Sequence, residues 1–175
     1  MNTEYPFTIE DVAAVTGGRV SRKTASNWVN ANQWFFPVFP FRHGHPRPYS
    51  RLTLIEAAIA SKAMSSGIPR SAVKFFLQSR ADSLDGSDGG WVKQRADVHF
   101  PELEASATGW FWLCFVTISE DGKSFVEAGV RAHRGIEALA ADLAEVNPVA
   151  DESVAFVLKI SEIVARVDRH IASRG

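Results

Sequence analysis

The spacing of apolar residues divides the chain into helical segments at both ends and a pair of strands between them. In the first half, apolar positions recur every three or four residues and predict a series of short helices. In the second half, apolar runs at residues 110–118 and 124–132 flank Glu120-Asp121-Gly122-Lys123, and Asp-Gly is a favoured hairpin turn. The pattern therefore predicts a mostly α protein with a β-hairpin, in the α+β class.

The first two predicted helices carry clear start and stop signals. Thr8 is placed to cap the first helix, and Asp11 three residues later completes a capping box. Gly17-Gly18 ends that helix, and Ser21 caps the second. Polar and basic residues at the start of the second helix, with Trp28 behind them as an anchor, are typical of a helix-turn-helix.

Two further helices complete the first half of the chain. The third is predicted from about Arg51 to Ser66, with Ser50 as its cap and an apolar stripe along one face. The fourth is predicted from Pro69 to about Arg80, because proline suits the first turn of a helix.

The order of these signals resembles the MerR-type winged-helix family over roughly the first half of the chain. The motifs that carry the resemblance are Val20-Ser21-Arg22-Lys23-Thr24, the basic loop from Arg42 to Arg47, Arg47-Pro48-Tyr49-Ser50 and Gly67-Ile68. The resemblance implies an N-terminal winged helix-turn-helix domain. It also implies a recognition helix that enters the major groove of DNA and a basic wing that contacts the DNA backbone.

Charge is distributed unevenly between the two halves. Residues 1–80 hold ten Lys and Arg against four Asp and Glu, whereas residues 81–175 hold nine against sixteen. A basic region beside an acidic one is expected of a nucleic-acid binder, although a merely solvated basic face is the alternative.

The second helix and the wing supply the predicted contacts to double-stranded DNA. Arginine can bridge guanine O6 and N7, and asparagine can pair with adenine N6 and N7. Residues of the wing lie nearer the phosphates or the minor groove, and Tyr49 either touches the backbone or packs the wing. The predicted DNA-binding residues are Arg19, Ser21, Arg22, Lys23, Thr24, Ser26, Asn27, Arg42, His43, His45, Arg47 and Tyr49.

The second half is predicted to form a separate small domain. The resemblance implies a DNA-binding domain at residues 1–80, and composition indicates an irregular linker within 81–108. The hairpin and helix patterns predict a hairpin-plus-two-helix domain at 109–175 for dimerisation or effector binding. The strand at 110–118 is apolar on both faces, so its own helices and a second element must cover it. That second cover could be the DNA-binding domain, a partner subunit or a small hydrophobic ligand.

The last two predicted helices run from Gly135 to Val146 and from about Asp151 to Ser173. Apolar residues of the second follow a 3, 4, 3, 4 spacing that suits either a dimer interface or a helix laid on the hairpin. The predicted dimer-interface residues are Val157, Ile160, Val164, Val167 and Ile171.

The aromatic segment from Trp34 to Phe41 is either a hydrophobic plug under the wing or a docking patch.

Other classes of protein find little support in the sequence. His43-Gly44-His45 lacks further ligands at metal-site spacing, Cys114 lies in an apolar strand, and no phosphate-binding glycine loop is present. We therefore expect no enzyme, no cofactor and no metal. With no signal-like or membrane-spanning run, we expect a cytoplasmic location and no membrane partner.

We expect a sequence-specific DNA-binding regulator of transcription, of bacterial or phage type, acting as a homodimer. RNA polymerase is a further candidate partner. The alternatives are a protein–protein adaptor that contacts the transcription machinery, and a regulator gated by a small apolar ligand in the C-terminal domain.

Overall fold

The computed structural model describes residues 7–30, 49–85, 101–118, 125–145 and 153–174, and within them the chain forms six α-helices and a three-stranded sheet. The helices are α1 (Ile9–Ala14), α2 (Arg22–Asn30), α3 (Arg51–Ser65), α4 (Arg70–Asp85), α5 (Ile136–Glu145) and α6 (Ile160–Ala172). The strands are β1 (Trp110–Ile118), β2 (Phe125–Arg134) and β3 (Ser153–Lys159), and a 3-10 helix spans Pro101–Leu103. The predicted α+β class is confirmed.

The limits of α1 and the start of α2 are set by local signals. The backbone N–H of Thr8 donates to Asp11 Oδ2 at 2.8 Å, as the capping box predicted. The chain then turns through Gly17 and Gly18, whose φ angles of 71° and 74° suit glycine. Ser21 Oγ accepts from the Thr24 N–H at 3.1 Å and caps α2.

The next two helices also follow their sequence signals. Ser50 Oγ accepts from the Thr53 N–H at 3.1 Å and caps α3, whose bounds confirm the prediction within a residue. The carbonyl of Pro69 accepts from the Val73 N–H at 3.0 Å, so proline stands directly before α4. The helix continues to Asp85, five residues beyond its predicted end.

The sheet has the strand order β2-β1-β3, and both pairings are antiparallel. Trp112 of β1 lies opposite Ala132 of β2 and opposite Leu158 of β3. The pairing of β1 with β2 confirms the predicted hairpin. A central strand that is apolar on both faces is expected where helices or other segments cover the sheet on both sides.

Strand β3 was not predicted from the sequence. The helix expected from about Asp151 begins only at Ile160, because residues 153–159 pair with the second edge of β1. Phe156 and Leu158 alternate toward the core with a period of two, which is the spacing of a strand. The prediction of one long helix, and of a C-terminal domain made of a hairpin and two helices, is therefore wrong over this segment.

The hydrophobic core joins the first and second halves of the chain. One continuous cluster of buried residues contains Leu54 and Ile55 of α3, Trp112 of β1, and Val164 and Val167 of α6. Helix α5 packs on β1 and β2 away from that cluster and buries Leu139. The second cover of β1 is therefore supplied within the chain, by α5 on one face and the shared core on the other.

The sharing of this core bears on the predicted dimer seam. Ile160, Val164 and Val167 are fully buried in the core of their own chain. Ile171 is partly buried against the same core, and Val157 lies on β3 with 44% of its surface exposed. The burial of these residues favours the alternative interpretation, in which the helix packs on its own sheet. The homodimer itself stays a prediction.

Ion pairs also tie α6 to the N-terminal helices. Arg51 of α3 donates to both carboxylate oxygens of Asp168, at 2.6 and 2.8 Å. Asp11 of α1 lies 3.1 Å from His170 Nε2 and 2.8 Å from an Arg174 guanidinium nitrogen. The predicted division at residues 80 and 108 stays a prediction, but the described parts on either side of it pack as neighbours.

Asp11 makes the stability of this junction depend on pH. Burial of the Asp11 carboxyl would raise its pKa, but hydrogen bonds from Thr8 and His170, with the charge of Arg174, lower it below the ordinary 3.8. A lowered carboxyl pKa gives stability that is present above pH 3.8 and is lost as the pH falls through the lowered value. We expect the destabilisation caused by Asp11→Asn to shrink below pH 3.8.

Urea unfolding of the parent chain and the variant, from pH 7 down to about 2.5, measures that difference. Glu137→Gln, at an exposed position on α5, is the control and should change stability little at any pH. A difference between parent and Asp11→Asn that stays constant down to the lowest pH would contradict the assigned role of the carboxylate.

Candidate nucleic-acid interface

Helix α2 is held by one face and presents the other to solvent. Ala25 and Trp28 are buried on the side that packs against the core. Arg22, Lys23 and Thr24 are exposed. The buried pair fixes the rotation of the helix, so the first turn presents two cations and a hydroxyl on a rigid support.

The first turn of α2 is lightly tethered to α1. Arg22 Nε lies 3.0 Å from Glu10 Oε1, and both side chains are largely exposed. Exposed ion pairs of this type contribute about 0–1 kcal/mol, so the guanidinium can exchange this partner for another at little cost. Farther along α2, Asn27 is exposed and Ser26 is partly buried, so the amide is the more accessible of the two.

The turn before α2 has a defined geometry. Thr16 Oγ1 donates to the Ala13 carbonyl at 2.6 Å and accepts from the Val20 N–H at 3.2 Å. Val20 is buried, whereas Arg19 beside it is exposed. The turn therefore presents Arg19 next to the N-terminus of α2.

Tyr49 is placed differently from the other predicted contacts. Its backbone forms an isolated antiparallel bridge with Phe7, with N–O distances of 2.9 and 3.3 Å. The residue is only 6% exposed and belongs to the core cluster. The structure thus supports the packing role for Tyr49, and its contact with DNA stays a prediction.

Part of the predicted interface lies outside the described residues. This applies to the basic loop residues Arg42, His43, His45 and Arg47 and to the aromatic segment from Trp34 to Phe41. The bridge between Phe7 and Tyr49 nevertheless marks where that segment rejoins the described chain, directly before α3. The described candidates from Arg19 to Asn27 all come from one continuous stretch.

A cleft beside this stretch was missed by the sequence prediction. We call it the basic cleft: it has a volume of about 820 Å³ and lies between the α1–α2 turn, α3, β3 and α6. Its cationic lining residues are Arg19, Lys62, Lys159, Arg166 and Arg169. Only the spacing of Arg166 and Arg169 on one helix is visible in the sequence, because the other three come from distant segments.

The remaining chemistry of the described residues is limited. Burial raises the pKa of the Cys114 thiol to about 12, so the sulfur stays protonated and is a poor nucleophile near neutral pH. Among the described residues, His, Cys, Asp and Glu form no group of three or more that could hold a metal ion. None of the described helices combines the length and the apolar character needed to cross a membrane.

Comparison with known proteins adds no identification. No family model matches the sequence, and no curated protein matches it. The similarity of its motifs to the MerR type therefore stays a prediction from the residues quoted above, and function has to be argued from the geometry of α2 and the surfaces beside it.

Proposed function

We propose that the chain is a sequence-specific regulator of transcription, of bacterial or phage type, that binds double-stranded DNA through α2. The observation that carries this proposal is the presentation of Arg22, Lys23 and Thr24 on a helix whose opposite face is buried. A capped, rigidly seated helix after a tight turn has the form of a recognition helix that enters the major groove. The excess of basic residues in positions 1–80 favours the same function.

In this proposal the side chains of α2 read bases and its surroundings position the helix. Arg22 and Lys23 suit guanine O6 and N7, and Asn27 suits the N6 and N7 edge of adenine. Ser26 adds a hydroxyl on the same helix. Arg19, with Ser21 and Thr24 at the helix start, contacts phosphates, which fixes register without reading sequence.

The wing belongs to the proposal as well. The isolated backbone bridge between Phe7 and Tyr49 supports a winged arrangement, because it holds the chain in place where the segment 31–48 ends. In that arrangement Arg42, His43, His45 and Arg47 lie along the DNA backbone. Substitution of Arg42 by alanine should then weaken binding to all sequences alike.

A homodimer would place two copies of α2 in successive major grooves, about 34–36 Å apart. Of the predicted interface residues, Val157 is the one with a large exposed surface, since Ile160, Val164 and Val167 are buried in their own chain. Contact with RNA polymerase would be a further step of the same regulatory role.

The proposal predicts that Arg22→Ala weakens specific binding by about 1–3 kcal/mol and relaxes the base preference at one position. A preferred sequence would first be selected from a pool of random duplexes. Fluorescence anisotropy would then compare that sequence with a scrambled one over a salt series. Arg134→Ala removes an exposed arginine from the end of β2 instead of α2 and is the matched control.

If Arg22→Ala keeps both the base preference and the DNA affinity of the parent chain, Arg22 does not contact the bases. Failure of the pool to yield any preferred sequence, together with absent binding at low salt, would contradict the DNA-binding function as a whole. In that case the protein–protein adaptor becomes the leading function.

A further inference from the structure

The basic cleft brings together residues from four separate elements. Thr16, Gly17 and Arg19 come from the α1–α2 turn, and Ser61 and Lys62 come from the last turns of α3. Val157 and Lys159 come from β3. The remaining lining residues, Glu162, Ile163, Ala165, Arg166 and Arg169, belong to α6. The cleft thus exists only because the two halves of the chain pack together.

The charge of the lining is strongly one-sided. Five cations line the cleft against one carboxylate, and that carboxylate, Glu162, pairs with Lys159 at 3.2 Å. No carboxylate among the described residues pairs with the other four cations, Arg19, Lys62, Arg166 and Arg169. The whole chain has a formal net charge of −1, so this local excess contrasts with the rest of the molecule.

Uncompensated cations around a concave surface favour an anion in the space between them. Low-dielectric walls focus the field of the cations and raise the local concentration of anions. Guanidinium groups also offer paired donors that match phosphate, carboxylate or sulfonate oxygens. Arg166 and Arg169 stand three residues apart on α6, so they project near one another along the cleft wall.

The cleft also has apolar surface. Val157, Ile163 and Ala165 line it beside the cations, and Val157 is half exposed there. Its volume of about 820 Å³ lies within the range of about 300–1,000 Å³ typical of small-molecule sites. These dimensions and this mixed lining suit a ligand with an anionic group and an apolar body.

We propose that the basic cleft is a binding site for a small organic anion, with an acidic group held by Arg19, Lys62, Arg166 and Arg169 and an apolar body against Val157 and Ile163. The sequence analysis considered only a purely apolar ligand. The cations of the cleft come from distant segments, so the sequence did not show that they form one site. The site adjoins the turn that leads into α2, so under the proposed function its ligand would act as an effector.

The test uses the full chain and two fluorescent probes that differ by one acidic group. Anilinonaphthalene sulfonate carries an aromatic body and a sulfonate, whereas phenylnaphthylamine has the same aromatic body and no charge. We expect saturable binding of the sulfonate probe that is about tenfold tighter than binding of the neutral probe. Equal binding of both probes would overturn the requirement for an anion.

Charge-reversal variants locate the site. Arg166→Glu and Lys62→Glu replace exposed side chains, so the fold should persist, and circular dichroism checks that it does. Each should weaken the sulfonate probe by about tenfold or more. Arg134→Glu makes the same change of charge on β2, outside the cleft lining, and should leave binding unaltered.

Three outcomes would overturn the proposal: no binding of the sulfonate probe to the parent chain, equal losses in all three variants, or no loss in the two cleft variants. The titration contains no DNA, so its result is independent of whether α2 binds DNA. A protein that fails the DNA selection and still binds the probe through Arg166 would retain the cleft site and lose only the effector role.

Discussion

Trp112→Ala should destabilise the folded chain by about 3–5 kcal/mol, and the N-terminal helices should unfold together with the sheet. The indole is only 2% exposed and belongs to the cluster that also contains Leu54 and Ile55 of α3. Its removal therefore leaves a cavity between the two halves of the chain. An indole nitrogen also donates to Glu102 Oε1 at 3.3 Å, and Glu102 is completely buried.

Loss of that hydrogen bond adds to the cost of the cavity, because the buried Glu102 oxygen then lacks this donor. Trp112→Phe keeps most of the apolar volume and removes the N–H, so it should destabilise less than alanine. Comparison of the two variants separates packing from hydrogen bonding. Ile136→Ala, at a position 58% exposed on α5, is the control and should change stability by about 0.5 kcal/mol or less.

Two probes are needed to follow this unfolding. Circular dichroism in denaturant reports mainly the helices, and amide hydrogen exchange reports α3 and β1 separately. Equal losses of protection in α3 and β1 would agree with one cooperative unit. A loss confined to β1, with α3 unchanged, would show that the first half is stable by itself, as the domain division from the sequence requires.

Arg51→Ala should lower the free energy of unfolding by about 2–3 kcal/mol. The guanidinium donates to both oxygens of Asp168 and to the Leu103 carbonyl at 2.7 Å. The side chains of Arg51 and Asp168 are 32% and 28% exposed, so solvent screens the pair only in part. One arginine at the start of α3 thus fastens α6 and the short 3-10 helix together.

Arg51→Lys keeps the charge but not the planar fork that matches a carboxylate, so we expect it to recover less than half of the loss. A double-mutant cycle with Asp168→Ala isolates the pair, and we expect an interaction energy of about 1–2 kcal/mol from denaturant unfolding. Additive effects of the two single substitutions would show that the pair contributes nothing beyond its separate environments.

The two proposed activities share Arg19 but otherwise depend on different parts of the molecule. Sequence reading depends on α2, whose candidate side chains are contiguous in the chain. Anion binding depends on the basic cleft, which requires α3, β3 and α6 in their packed positions. Variants such as Arg22→Ala and Arg166→Glu should therefore separate the two, each affecting one measurement.

Local signals in the sequence determined much of the secondary structure. The first helix begins and ends, and the second begins, where the sequence predicted. These limits are set by Thr8 with Asp11, by Gly17-Gly18 and by Ser21. These features act through hydrogen bonds and backbone preferences within a few residues, so no distant contact is needed to predict them. The alternation of apolar residues around Asp121-Gly122 identified the hairpin for the same reason.

Tertiary contacts decided the features that the sequence left ambiguous. The apolar pattern of residues 153–159 is also compatible with a helix. As a strand, however, this segment pairs with the backbone groups at the edge of β1, which a helix there would leave without partners. Ile160, Val164 and Val167 fit a dimer seam by spacing alone, and the packing of α6 on α3 buried them in their own chain.

The sequence by itself determined the caps, the turns and the exposed basic start of α2, because each depends on neighbours a few residues away. Only the tertiary structure decided which apolar stripe meets which surface, and only it brought Arg19, Lys62 and Arg166 to one cleft. Side chains separated by more than a hundred positions become neighbours through burial of a shared core. That burial is non-directional, so a one-dimensional pattern does not specify it.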